Sequence, residues 1–233
     1  MANIAIIKPG SSRVTGSDLK IMAIGQTKYA RLVTNAYGLK PIEVYFAPNG
    51  PRNKNDFVID IQENLSAPGI LGEHQLIDNR VVITISASAT IPDPIVSPFG
   101  IILDSPNGDP FLWPGSMSEV ISHEIAESLL NQWANCFRYD QVNNQLVFME
   151  ICDIADAYRF PITVRTGILG SKQQMICQDF GLPAAWDNQA TSGPYSHTGQ
   201  LSGPFKLDKN CYRFVMPAGA WTPQGIDRIG GQR

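Results

Sequence analysis

The apolar positions in the N-terminal half of the chain change their spacing several times. After Ser17, a suitable N-cap, apolar residues recur every three or four positions as far as Tyr37, and Gly38 follows, which predicts a helix. "PIEVYFAP" alternates with a period of two, and "DFVIDI" and "RVVITISAS" are interpreted as two more strands, the second buried on both faces. The Pro-, Gly- and Asp-rich stretch 88–116 is predicted to be irregular, with a short strand at "GIILD". This half is therefore expected to be an α/β layer with one long helix packed on strands.

A second helix is predicted over about 117–133, because Ser116 and Glu119 form the S-x-x-E pattern of a capping box directly before an apolar run. After it, "QLVFMEICDIADAY" predicts a strand that leads into a helix or turn. From residue 160 onward Pro and Gly recur at short intervals, which indicates short strands and loops packed around the second helix. The pattern predicts a single α/β (α+β) domain over 1–233, with a sheet-and-helix half in 1–115 and a loop-rich half in 116–233.

Composition and charge limit the partners that the chain is expected to bind. Of the 233 residues 43% are hydrophobic and 17% charged, the net charge is -3, and no two Lys or Arg residues are adjacent, so no nucleic-acid partner is expected. The apolar run in "MANIAIIKPG" is too short for a signal peptide, and no segment approaches the length of a membrane span. We therefore expect a soluble protein of the cytoplasm or of a virus particle.

The four cysteines also bear on the expected chemistry. Cys136, Cys152, Cys177 and Cys211 have no C-x-x-C spacing, so a zinc site of four thiolates is not indicated. Reduced, buried thiols are expected, although a place in an external particle would leave disulfides possible.

The second helix carries the most informative polar residues. In "SEVISHEIAESLLNQ", His123 and Glu127 are one turn apart on the same face, and Glu124 lies about 100° round the helix from His123. This H-E-x-x-E pattern is the H-E-x-x-H helix of zinc proteases with Glu in place of the second His. In that chemistry the residues one turn apart bind the metal, and the adjacent Glu accepts a proton from the metal-bound water. The alternative is a hydrogen-bonded His–Glu pair beside an unrelated Glu124.

A third metal ligand is predicted in the acidic segment "MEICDIAD". Glu150 is the favoured ligand, and Asp153 is expected to orient His123 through the other nitrogen of its ring. The alternative is a solvated acidic turn, but the apolar residues that flank the carboxylates favour a packed segment. The predicted cofactor is zinc or another divalent metal.

Three other segments offer secondary candidates. In "SGPYSHTGQ", Tyr195 or His197 could donate a hydrogen bond to a developing oxyanion, although an exposed loop histidine is the simpler interpretation. His74 in "GILGEHQ" is expected to order a turn and not to bind metal. "GLPAAWD" could form a floor beneath the metal, and a plain packing role for Trp186 is equally consistent with the sequence.

Four segments that follow in order carry a resemblance to a known group: "SHEIAESLLN", "FMEICDIADAY", "ICQDFGLPAAWD" and "GPFKLDKNCYRFV". Together with "GILGEHQL", they resemble a group of uncharacterised bacterial and phage-encoded proteins over roughly residues 65–225. That group is similar to the zincin metallopeptidases. The resemblance implies a zincin-like fold in which His123, Glu127 and Glu150 bind the metal and Glu124 is the base, and it implies no particular substrate.

Two functions remain open from the sequence. The first is a metal-dependent hydrolase that acts on a peptide or protein. The second is a non-catalytic structural or binding protein of a phage particle, which would self-assemble or bind other virion proteins. Two carboxylate ligands would bring the formal charge of a zinc site to zero and weaken its Lewis acidity, which favours the second function. The Gly- and Pro-containing tail from Met216 also favours it, because such tails are usually ordered only where something holds them.

Overall fold

A five-stranded mixed sheet lies in the N-terminal half of the chain. The computed structural model describes residues 3–7, 14–63, 65, 71–87, 116–133, 135–165, 172–217 and 225–228. The strands of this sheet are β1 (Ile4–Ile7), β2 (Val44–Ala47), β3 (Phe57–Gln62), β4 (Gly72–Ile77) and β5 (Arg80–Ser86), in the spatial order β2-β1-β3-β5-β4. The first four strands in this order run parallel to one another, and the edge strand β4 runs antiparallel to β5.

Helix α1 (Gly16–Ala36) connects the parallel strands β1 and β2, as a crossover between parallel strands requires. Its N-cap is Thr15, whose hydroxyl accepts a hydrogen bond from the Asp18 amide (3.3 Å) while the Asp18 carboxylate accepts one from the Thr15 amide (2.9 Å). The helix therefore begins before Ser17, the predicted cap. Gly38, at φ +65°, follows the end of the helix as predicted.

Helix α2 (Met117–Asn131) is capped by Ser116, whose hydroxyl accepts a hydrogen bond from the Glu119 amide. It packs against α1, against β4 and β5 at one side of the sheet, and against the strand at Lys172–Gln178. Gln26 of α1 donates a hydrogen bond to the Ser118 carbonyl (2.8 Å), and Arg159 forms a buried ion pair with Glu119 (2.6 Å). These polar contacts fix α2 between the sheet and the C-terminal hairpin.

The C-terminal half contains two smaller antiparallel sheets. Strands β6 (Phe137–Asp140), β7 (Gln145–Phe148), β10 (Tyr212–Pro217) and β11 (Gly225–Arg228) form one sheet in the order β11-β10-β7-β6. Strands β8 (Arg159–Arg165) and β9 (Lys172–Gln178) form a hairpin beside α1 and α2. Short 3-10 helices at Asp153–Ala155 and Pro183–Trp186 connect these elements.

The described structure is a mixed α/β fold with a mixed sheet and two helices, which confirms the predicted fold class at that level. The strands from "PIEVYFAP", "DFVIDI" and "RVVITISAS" are present as β2, β3 and β5. Two strands of the sheet, β1 and β4, were not predicted, and "GIILD" lies outside the described residues. All four cysteines are free thiols. Within the described ranges, neither helix contains a stretch that is long and apolar enough to span a bilayer.

Candidate metal centre

Polar side chains from three separate elements converge beside α2. The helix contributes His123, Glu124 and Glu127, strand β4 contributes His74, and the segment after β7 contributes residues 150–153. Glu124, Glu127 and Asp153 are all buried, although each carries a carboxylate. Because buried carboxylates are retained mainly where they are paired or bind a metal, this convergence marks a candidate functional site.

His123 lies between two carboxylates. Its Nε2 atom is 3.2 Å from Glu127 Oε1 and 3.3 Å from Asp153 Oδ1, and neither oxygen is placed to accept a well-aligned hydrogen bond. In tetrahedral coordination with bonds of about 2.0–2.1 Å, neighbouring ligand atoms lie roughly 3.3 Å apart. The two separations therefore fit ligand atoms that share one metal ion. Asp153 approaches the same ring nitrogen as Glu127, and not the other nitrogen as the sequence analysis expected.

Cys152 completes this side of the cluster. Its Sγ atom, a ring nitrogen of His123 and a carboxylate oxygen of Glu127 all lie within 4.8 Å of one another. The Tyr29 hydroxyl, from α1, lies 3.6 Å from the same sulfur. The sequence analysis did not select Cys152, although the adjacent acidic residues in "EICD" were a signal that this segment is close to the helix.

Burial and neighbouring negative charges raise the pKa values of the carboxylates around Glu127. Burial raises the pKa of Glu127 well above 4.5, the His123 imidazole opposes this shift, and the nearby Asp153 and Glu150 carboxylates raise the pKa further. The pKa of Asp153 is raised mainly by burial, against the effect of its contact with His123. A divalent cation at this position would remove the repulsion between these carboxylates.

His74 forms a second part of the cluster. Its Nδ1 atom lies 3.0 Å from Glu124 Oε2, and the two side chains are only 9% and 8% exposed. A His74 ring nitrogen also lies within 4.8 Å of carboxylate oxygens of both Glu124 and Glu127. Burial lowers the pKa of His74, but the hydrogen bond and charge of Glu124, with the charges of Glu127 and Glu150, raise it to about 9.

The placement of His74 corrects its assignment to an ordered turn. It lies within β4, where residues two apart face the same side, so Gly72 and His74 both face α2. A Cβ atom added to Gly72 would lie 2.7 Å from Val120 Cγ1 and 3.0 Å from Glu124 Cγ, so the strand approaches the helix very closely here. Asp78 and Asn79 form the two-residue hairpin turn between β4 and β5, with φ of 49° and 63°. This Asp–Asn pair was the signal in the sequence that could have predicted β4.

Glu150, the predicted third ligand, lies at the margin of the cluster. Its Oε1 atom accepts a hydrogen bond from Asn131 Nδ2 (2.6 Å), and its Oε2 atom is buried without a hydrogen-bond partner. Burial raises the pKa of Glu150 to about 7; the charge of His74 opposes this shift and that of Asp153 adds to it. Among the described residues, Glu150 belongs to neither group whose donor atoms lie within 4.8 Å of one another.

The predicted oxyanion donors, Tyr195 and His197, make packing and backbone contacts. The exposed His197 ring stacks on Phe180 with centroids 5.1 Å apart, and it also contacts Phe160. The Tyr195 carbonyl accepts a hydrogen bond from the Leu182 amide. Trp186, in the segment proposed as a floor, donates a hydrogen bond to the Tyr37 hydroxyl (3.1 Å) and packs on Phe205. These contacts are those of a packed surface layer, and the oxyanion role stays a prediction.

The donor atoms of the cluster are of types that can bind a divalent metal ion. Imidazole nitrogen, carboxylate oxygen and thiolate sulfur are the three ligand types that protein zinc sites use. Two groups of such donors occur in the described residues, His123–Glu127–Cys152 and His74–Glu124–Glu127. Two of their atoms, His74 Nε2 and Glu127 Oε1, are buried without a hydrogen-bond partner, as ligand atoms of a metal would be.

The chain matches no family model, no curated protein and no solved structure at a significant level.

Proposed function

We propose that this chain is a metal-dependent hydrolase of the zincin type, with a divalent ion, most suitably zinc, held by His123 and Glu127. The observation that carries the proposal is the placement of two buried carboxylate oxygens 3.2 and 3.3 Å from His123 Nε2 without hydrogen-bond alignment. A bound divalent ion would supply Lewis acidity and a water of lowered pKa. Glu124 directly follows His123 in α2 and precedes Glu127. This position supports its role as the base.

Glu124 is the carboxylate best placed to accept a proton. It is buried, and its Oε2 atom is held by His74 while its Oε1 atom is directed toward the backbone of β4 near Gly72. The contact with His74 fixes the orientation of the carboxylate, so Oε1 remains to receive a proton from a water molecule beside α2. His74 therefore acts in this proposal as a positioning residue for Glu124.

The third protein ligand comes from residues 150–153. The sequence favours Glu150, whose Oε2 atom is buried and without a hydrogen-bond partner. Cys152 Sγ lies within 4.8 Å of donor atoms of both His123 and Glu127, and Asp153 Oδ1 lies 3.3 Å from His123 Nε2. Glu150→Gln, Cys152→Ser and Asp153→Asn separate the three, because each alters one donor and keeps the size of the side chain. The variant with the largest loss of zinc affinity, measured by competition with a chromophoric chelator, identifies the ligand.

A peptide substrate is supported by the position of β4. This strand lies at the edge of the sheet, among the strands described, and runs beside α2. An extended peptide can add to the edge of a sheet through main-chain hydrogen bonds. A peptide aligned in this way would pass close to Glu124, which is the reason for proposing peptides and proteins as substrates.

The first test is the Glu124→Gln variant, which keeps size and hydrogen bonding but removes the ability to accept a proton. We expect the rate of zinc-dependent cleavage of casein or of a peptide library to fall by a factor of about 10²–10⁴. Binding of the zinc ion held by His123 and Glu127 should be unchanged. Glu43→Gln is a matched control, because Glu43 is a surface residue that pairs with Arg52. Equal rates for wild type and Glu124→Gln would contradict the role of Glu124 as base.

The second candidate function is a non-catalytic metal-binding protein, and the His74–Glu124 contact of 3.0 Å favours it. The Oε2 atom of Glu124 is already engaged by the His74 imidazole, so the pair is complete without a catalytic role. In this case the wild type would bind zinc but cleave no substrate in the same library, and Glu124→Gln would change only the stability of the protein.

A further inference from the structure

We infer that the cluster binds a second divalent cation, held by His74, Glu124 and Glu127, so that Glu127 is shared between two ions. This inference rests on the proposed function for the first ion, which lies on the His123 side of Glu127. The second ion would be coordinated by one imidazole and two carboxylates, a donor set that zinc and manganese both accept.

The geometry gives this second group its own set of donors. A His74 ring nitrogen and carboxylate oxygens of Glu124 and Glu127 all lie within 4.8 Å of one another. Only Glu127 also belongs to the group that contains His123, where its Oε1 atom lies 3.2 Å from Nε2. In protein sites with two metal ions, the ions lie about 3.5–4 Å apart and carboxylates commonly bridge them, so the shared residue is the one expected of such a centre.

Unpartnered buried atoms provide an independent reason for the second ion. His74 has a side chain only 9% exposed, and its Nε2 atom has no hydrogen-bond partner. Glu150 Oε2 is a second buried atom without a hydrogen-bond partner. The charge of Glu150 raises the pKa of His74, and the charge of Glu124 raises the pKa of Glu150, so the three side chains are close together. Buried polar atoms are nearly always satisfied in native proteins, and a cation on this side would satisfy one or both of them.

The charges of the cluster point the same way. Four carboxylates (Glu124, Glu127, Glu150 and Asp153) lie around the imidazoles of His74 and His123, so carboxylates outnumber imidazoles in this buried cluster. Arg159 is a buried cation beside α2, but it is already paired with Glu119. Buried charges need a counter-charge close by, which the second ion supplies.

The second ion has a consequence for the proposed reaction. A carboxylate that coordinates a cation is a poor acceptor of protons, so Glu124 cannot serve as a full-strength base while it binds the second ion. Hydrolysis should therefore rise as the first site fills and fall as the second site fills. The His74 side of the cluster would then act as an inhibitory cation site.

The test is the number of ions bound by the purified full-length protein. Metal-free protein would be titrated with Zn²⁺ by calorimetry, and the bound metal counted by elemental analysis after equilibrium dialysis. We expect two ions for the wild type, and one each for His74→Ala and His123→Ala, because each of these variants removes a donor from one site only. Gln75→Ala is the matched control, since Gln75 is exposed on the same strand, and it should bind two ions.

A second measurement shows whether the two ions share a ligand. Two Mn²⁺ ions about 4 Å apart interact magnetically, so the electron paramagnetic resonance spectrum of the wild type loaded with Mn²⁺ should show spin coupling. The coupling should disappear in His74→Ala. If His74→Ala does not fold, His74→Gln keeps a hydrogen-bond donor toward Glu124 and replaces it.

The outcomes separate this inference from the proposed function. One bound ion in both the wild type and His74→Ala, with zinc-dependent hydrolysis by the wild type, would overturn the second site and leave the proposed function standing. No bound ion in the wild type would overturn both. Two ions without spin coupling would overturn the bridging position of Glu127.

Discussion

Asp56 shows how a single buried residue stabilises the start of the sheet. Its carboxylate accepts hydrogen bonds from the Tyr45 hydroxyl (2.6 Å), the Asn3 amide (2.9 Å) and the Asn53 amide (3.1 Å). These donors belong to the residues before β1, to β2 and to the loop before β3. Burial by itself raises the pKa of Asp56, but the hydrogen bonds from Tyr45, Asn3 and Asn53 outweigh it, so the pKa lies below 3.8.

Asp56 should make the stability of the protein sensitive to acid. Because its pKa is lower in the folded state than in the unfolded state, its contribution is fully present above the unfolded pKa and is lost as the pH falls through the folded pKa. We expect Asp56→Ala to lower the free energy of unfolding by about 2–4 kcal/mol at pH 7, since it leaves buried donors without an acceptor.

Urea denaturation at pH 7 and at pH 3 measures this effect. The difference between wild type and Asp56→Asn should shrink at pH 3, where the wild-type carboxylate begins to bind a proton. Asp60→Asn is a suitable control, because the Asp60 carboxylate accepts a hydrogen bond from the side chain of Gln62 near the surface. A difference that is the same at both pH values would rule out the titration of Asp56 as its cause.

The residues of the candidate site were predicted in part, and most directly where they are neighbours in sequence. His123, Glu124 and Glu127 follow from the periodicity of one helix, which places them on one side of it. His74 and Cys152 could not be selected in this way, because their proximity to α2 depends on the packing of β4 and of the 150–153 segment. The contact between His74 and Glu124 joins residues 50 positions apart, and no local pattern specifies it.

Among the elements, β4 depends most on a close approach to a neighbour. Gly72 lies against Val120 and Glu124 of α2, where a Cβ atom would come within 2.7–3.0 Å of side-chain carbons. We expect Gly72→Ala to lower the free energy of unfolding by about 1–3 kcal/mol, because the strand and helix must separate. The same separation should draw His74 away from Glu124 and weaken metal binding on that side.

Thermal unfolding and zinc titration of the Gly72→Ala variant check this prediction. The control is Gly16→Ala in the first turn of α1, where the added Cβ would make only an ordinary contact with Phe46 at 3.4 Å. In a helix this change should be neutral or stabilising by about 0.4–1 kcal/mol. If Gly72→Ala were as stable as the control, the approach of β4 to α2 would not need a glycine.

The elements with a clear period were predictable, and those without one were not. Both helices and strands β2, β3 and β5 follow from spacing and composition. Strand β1, "IAII", is uniformly apolar because it is an inner strand of a largely parallel sheet, so it lacks the alternation that marks a half-buried strand. Strand β4, "GEHQLI", contains few strand-favouring residues and is held by its pairing with β5.

For the whole molecule, the candidate centre joins parts that are distant in sequence. Its donors come from β4, from α2 and from the segment after β7, and three of its buried carboxylates repel one another. An ion that binds only the folded state at 100 times its Kd stabilises it by about 2.7 kcal/mol, or roughly 5–10 °C in a chain of this length.

We therefore expect removal of metal by a chelator to lower the Tm by this amount and the addition of zinc to restore it. Differential scanning calorimetry with and without zinc provides the measurement. His123→Ala combined with His74→Ala should abolish the zinc-dependent shift, whereas Gln75→Ala should retain it. A Tm that does not depend on zinc in the wild type would contradict metal binding by the folded state.

The two-residue turn at Asp78 and Asn79 has a consequence for insertions and deletions. It sets the register in which His74 lies opposite Ile83, and successive residues of a strand face opposite sides. One residue more or fewer in this turn, with the pairing otherwise kept, would turn Glu73 or Gln75 toward α2 and His74 away from it. A related chain could thus keep every histidine and glutamate of the cluster and still lose one of its ligands, through a change in the length of a surface loop.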